Sequence, residues 1–124
     1  MNAVLDAGAL IAADRDNREM VARLRVLQRK QIDLCTSEAV IAQVWRHPRQ
    51  VNLARLLSGV AIEPLGPGDG RRIGQLLAAT GLADIVDGHV ALLVDQGGTV
   101  LTSDPDDLGR LVAARGVSAT VVAV

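Results

Sequence analysis

AVLDAGALIAADR, residues 3–15, is an apolar run ended by an acid and followed by small residues. Ala3-Val4-Leu5 fits a fully buried strand of a parallel sheet. Asp6 ends that strand. A carboxylate is costly to bury unpaired, so the sequence places it at the strand's carboxyl end, in a crevice and facing a partner. Ala7-Gly8-Ala9 reads as a small, open turn, and Leu10 to Ala13 as the helix that follows. Open α/β sheets bind ligands at this edge, so the fold and the function both turn on which other acids arrive there.

The 124 residues suit one domain, 1–124, with a real core. The chain has no Phe or Tyr and one Trp, so that core is built from Leu, Val, Ile and Ala. No apolar run is long enough to span a membrane, and no signal-peptide pattern opens the chain. The single cysteine, Cys35, excludes an internal disulfide, suits a reducing cytoplasm and reads as a small buried apolar residue. Thirteen basic and fourteen acidic residues nearly cancel, which argues against strong non-specific nucleic-acid binding by overall charge. Arg18, Arg25 and Arg29 share one helix face, read as an ordinary solvated one.

Helices and strands alternate along the rest. Asn17 to Lys30 is a helix with Met20, Val21, Leu24 and Leu27 inward. Gln31 to Thr36 is a strand, and Thr36 or Ser37 caps the next helix, which carries Val40, Val44 and Trp45. Pro48 interrupts, and a helix resumes over Arg49 to Ser58. Val60 to Leu65 is a weaker strand. Gly66 to Gly70 (GPGDG) is a turn that lacks the lysine and spacing of a phosphate loop. Arg71 to Thr80 is a helix. Leu82 to Gln96 holds another, with Asp84 and Asp87 near its start. Thr99 to Thr102 is a buried strand ending at Ser103-Asp104. Pro105-Asp106-Asp107 opens a last helix, Leu108 to Arg115, and Ala119 to Val124 is the closing strand. The pattern predicts an α/β domain: three α/β/α layers around a parallel sheet of four to five strands.

Two strands thus end in acids, Asp6 and Asp104, at one edge of a parallel sheet, and Asp87 can point there too. Asp84 shares its helix face. Carboxylates converging without lysines repel one another unless a cation binds, and hard oxygen ligands suit Mg²⁺ or Mn²⁺. Singly, Asp6 and Asp84 also read as helix caps, and Asp106 and Asp107 as first-turn acids complementing a helix dipole. His89 reads as core or edge packing and His47 as a turn residue. A receiver domain would need an acid after the third strand and a late lysine. Glu63-Pro64-Leu65 and the absence of lysine after Lys30 argue against it.

With VLDAGALIA at the start, SEAVIAQVWR in the first third and VDGHVALLVDQGGTVLTSDPDDL near the end, the chain resembles PIN-domain ribonucleases, in particular VapC-type toxins of bacterial toxin–antitoxin pairs. The resemblance runs from Val4 to about Val112. It implies a PIN-like, Rossmann-like domain and Mg²⁺- or Mn²⁺-dependent cleavage of RNA by metal-activated water. Asp6, Asp87 and Asp104 would be the ligands, with Asp106 an outer contact. It further implies a homodimer and a small VapB-like antitoxin that covers the acidic groove. One position departs: where the family carries a glutamate six residues beyond its capping serine, this chain has Gln43. Glu38 lies about 140° from Gln43 around the helix and could replace it only from the helix start. That departure keeps open a PIN-fold RNA- or protein-binding module with weak or absent catalysis.

Overall fold

In the computed structural model, which describes residues 1–124, the chain runs β1 (Asn2–Leu5), α1 (Ala7–Asp14), α2 (Arg18–Arg29), β2 (Asp33–Ser37), α3 (Glu38–Val44) and α4 (Val51–Leu57). It continues through β3 (Ala61–Glu63), α5 (Asp69–Thr80), α6 (Ile85–Leu93), β4 (Thr99–Thr102), α7 (Pro105–Arg115) and β5 (Thr120–Ala123). The five strands form one parallel sheet in the order β3-β2-β1-β4-β5. The first two crossovers step one way from β1 and the last two step the other way. Because such crossovers are right-handed, the helices α1–α4 lie on one face and α5–α7 on the other. The expected three layers follow. The order reverses between β1 and β4, and a crevice opens there outside the strands' carboxyl ends.

β1 is central, and Ala3, Val4 and Leu5 are fully buried. Asn2 pins its start, donating to the Leu93 carbonyl and accepting from the Asp95 amide at the end of α6. The core is aliphatic: leucines, valines and alanines from every layer, with Met20 and Cys35. Trp45 ends α3 in an extended conformation and packs half-buried against this core. Its fluorescence should therefore be blue-shifted from that of tryptophan in water, whatever the protein concentration. Cys35 is buried and its thiol is pushed up to about 11, first by burial and then by Glu63 and Asp95, which suits a packing residue and not a nucleophile.

Three boundaries differ from the sequence reading in ways that matter for the site. The residues taken as an open turn, Ala7–Ala9, are already the first turn of α1, because Asp6 caps it directly. β2 runs Asp33–Ser37 and not Gln31 to Thr36, so it ends on the Ser37 that caps α3, whereas α7 opens at Pro105 as the sequence indicates, since proline at the first helical position has no amide to leave unpaired. α5 begins at Asp69 and not at Arg71. Between α3 and α4 the chain is turned by Gln50, which accepts from the amides of Arg46 and His47 and donates to Asp14 and the Val44 carbonyl.

Gly8 sits where α1 meets the turn after β4. A Cβ there would lie 2.8 Å from Ser103 Cβ and Oγ and 3.1 Å from its backbone nitrogen. Gly8→Ala should push Asp104 away from Asp6, at a cost of about 1–3 kcal/mol in stability. Calorimetry should show weakened Mn²⁺ binding in a protein that still melts cooperatively.

Candidate metal centre

Asp6 is 5% exposed at the carboxyl end of β1. One of its oxygens caps α1, accepting from the Ala7 amide at 2.8 Å. The other accepts from the Thr102 hydroxyl at 2.7 Å, the last residue of the neighbouring strand β4. Thr102 is fully buried, and the same hydroxyl accepts from the Asp104 amide at 2.9 Å. One side chain thus ties together the acids that end β1 and β4.

α6 and α7 bring the others through the same local device. Asp84 caps α6, accepting from the amides of Val86 and Asp87, and Asp87 is the third residue of the helix. Asp104 stands at the cap position of α7, and Asp107 is the third residue. An acid at that third position turns back toward the cap. Carboxylate oxygens of Asp87, Asp104 and Asp107 lie within 4.8 Å of one another. Asp107 is the member that the sequence reading left as a dipole-complementing acid. Asp106, chosen there as the outer contact, is exposed on the next face of α7 and outside this group. Asp84 is exposed at the rim. Glu38 and Gln43 are both exposed on α3, and neither joins the group.

The electrostatics are those of a site built for positive charge. None of these acids has a basic side chain within 4 Å; the ion pairs of the protein are elsewhere. Burial, and then the charges of Asp84, Asp6, Asp104 and Asp107, push the Asp87 carboxyl up to about 7. Asp104 is also raised, by burial and by Asp107 beside it. Oxygen-only donors gathered around a deficit of positive charge fit Mg²⁺ or Mn²⁺.

Beside this cluster runs a buried polar bridge that the sequence did not suggest. His89, on α6 two residues beyond Asp87, is 2% exposed, and its Nδ1 lies 2.7 Å from Ser37 Oγ. Ser37 ends β2 and caps α3, accepting from the Ala39 amide. On the other side His89 Nε2 faces Asp69 Oδ2 at 4.0 Å, and that oxygen accepts from the Gly66 amide. Burial holds the imidazole below its ordinary pKa, so it is neutral at pH 7. The bridge joins β2, α6 and the start of α5, and so fixes the helix that carries Asp87.

Solved structures share this architecture. A chain of the VapBC2 complex of Rickettsia felis, crystallised bound to a DNA fragment from its promoter, superposes with a TM-score of 0.71. The match covers 98% of each chain at 16% sequence identity. The fold is PIN-like. The sequence itself matches no protein-family model and no curated protein. At this identity the likeness is one of fold, and what a PIN-like fold does here must be argued from the acids at the switch point.

Those acids give the first discriminating experiment. Asp107→Asn should weaken Mn²⁺ binding about tenfold or more, whereas Asp106→Asn should leave it unchanged. Equal effects at both positions would place the ion outside the Asp87–Asp104–Asp107 group.

Proposed function

We propose that this chain is a metal-dependent endoribonuclease of the VapC type, the toxin of a toxin–antitoxin pair. The observation that carries the proposal is the gathering of Asp87, Asp104 and Asp107 at the β1–β4 switch point, with Asp6 outside that trio but tied to Asp104 through Thr102 and with no basic residue among them. Asp87, Asp104, Asp107 and Asp6 would hold Mg²⁺ or Mn²⁺. When bound, such an ion supplies an activated water and stabilises the charge that builds up on a phosphodiester in hydrolysis.

The chain's own residues do the rest. Thr102 keeps Asp6 and Asp104 at a set separation. Asp84 fixes the first turn of α6 and with it Asp87. Asp87, raised to about 7 in the metal-free protein, would give up its proton to the ion it holds, so metal affinity should rise with pH through about 7. RNA as substrate, a homodimer, a VapB-like antitoxin over the acidic crevice and a cytoplasmic location complete the proposal. They draw on the resemblance of the sequence motifs and on a structural neighbour that is itself part of a VapBC complex.

Gln43 favours a second reading, a PIN-like module that binds RNA or protein without cutting. Incubating the purified chain with single-stranded RNA and Mn²⁺, beside a calorimetric Mn²⁺ titration, separates the two. Cleavage that disappears in Asp104→Asn supports the enzyme. Mn²⁺ binding without cleavage supports the module. Absence of both sinks the metal site.

A further inference from the structure

β3 closes one side of the sheet. It pairs with β2 only, and Ala61, Ile62 and Glu63 are all exposed, so its outer backbone edge is open. The sheet is also bare beside it. On the α5–α7 side, α6 packs on β1 and β2, and no helix packs closely on β3. What remains is a groove of about 770 Å³ over β2 and β3, away from the β1–β4 switch point.

Its lining is one-sided in charge. Asp33, Glu63 and Asp95 face it, the amide of Asn2 adds to it, and no lysine, arginine or histidine lines it. Asp95 has only the exposed amino terminus near it, at 3.8 Å, and Asp33 and Glu63 have no cation within 4 Å. The floor is Cys35 and Ala61, register partners on adjacent strands. Cys35 is 6% exposed; its sulfur accepts from Asn2 at 3.6 Å, while its S–H has no acceptor. The three carboxylates all act on that thiol, so their field converges on the groove floor.

An open strand edge beside a groove is what an extended peptide needs. Main-chain hydrogen bonds to the edge give affinity, and alternate side chains drop into the groove. The charge complement of this groove is basic. We propose that β3 and its groove take an extended, arginine- or lysine-bearing segment of a partner protein. The segment adds a strand beside β3, with cationic side chains at alternate positions: one across the small Ala61 toward Asp33 and Asp95, the next beside Glu63. The proposal is independent of the ribonuclease reading, because it uses none of the acids of the metal centre.

The test is an NMR titration of the ¹⁵N-labelled full chain, with Mg²⁺ present to occupy the switch-point acids. The probes are a synthetic peptide alternating arginine and threonine and its glutamate counterpart. The arginine peptide should shift the amides of Ala61, Ile62 and Glu63, the Cys35 amide and the Asn2 side-chain amide, and the glutamate peptide should not. Asp33→Asn with Glu63→Gln should weaken binding at least tenfold while leaving Mn²⁺ affinity unchanged. Glu63→Lys, at an exposed edge position that folding tolerates, should abolish it. Shifts confined to the switch-point residues Asp6, Asp84, Asp87, Asp104 and Asp107, or binding indifferent to these substitutions, would overturn the proposal. So would β3 signals that move with protein concentration alone, because the occupant would then be a second copy of this chain.

Discussion

Asp87→Asn should raise the melting temperature of the metal-free protein at pH 8 while removing its divalent-ion binding. The Asp87 carboxylate is 9% exposed, accepts no hydrogen bond and is surrounded by four other acids, so asparagine forfeits nothing in the absence of metal. A carboxyl whose folded pKa lies near 7, against an unfolded value of about 4, favours the fold fully only below pH 4. That contribution is lost as the pH rises to about 7. The wild type is therefore penalised at pH 8, and the asparagine variant is not. A shift of this size corresponds to at most about 4 kcal/mol. With neighbouring acids relaxing, a gain on the order of 2 kcal/mol, or roughly 5–8 °C, is expected. At pH 4 the two proteins should melt together. The gain should also reverse in Mg²⁺, which stabilises only the protein that binds it. A variant that melts well below wild type at pH 8 would make Asp87 a structural residue and not a ligand.

Thr102→Val should have the opposite sign. The two side chains have nearly the same shape, so packing in the fully buried site is kept. The lost hydroxyl leaves Asp6 Oδ2 without its donor, with only the Ala7 amide on Oδ1, and the Asp104 amide without its acceptor. Stranding two buried polar groups, one of them charged, costs about 2–4 kcal/mol. Thermal unfolding should show the loss, and Mn²⁺ affinity should fall with it because the two strand ends are no longer tied. Thr102→Ser keeps the hydroxyl and should restore most of both. If Thr102→Val binds Mn²⁺ as tightly as wild type, Asp6 and Asp104 do not need to be held together.

Which parts of this site could be read from sequence follows from the range of the forces involved. Asp6 and Asp104 were legible because each ends an apolar run, and parallel strands bring their ends to one edge. The alternation of elements likewise led to the three layers. Asp107 was missed because its side was set by the phase of α7. Taken only as first-turn acids, Asp106 and Asp107 were equivalent, whereas Pro105 at the first helical position makes Asp107 the third residue, turned back to Asp104. The proline was the available signal. The Ser37–His89 bridge, 52 residues apart in sequence, had no local signal. A histidine amid apolar neighbours looks the same whether it packs or bridges. The bare face beside β3 was invisible for a similar reason: its groove exists because no helix covers it.

The hydrogen bond between Asp6 and Thr102 joins residues 96 apart, across the centre of the sheet. During synthesis the first strand emerges early and waits, since its β4 partner follows six helices and two strands. Until residues 99–107 have left the ribosome, a nascent chain holds Asp6 and Asp87 but neither Asp104 nor Asp107, and β1 has no neighbour on the β4 side. A chain that stops short of Asp107 cannot bring the acids of α6 and α7 together. The order of the strands thus makes the acidic centre one of the last features of the domain to form.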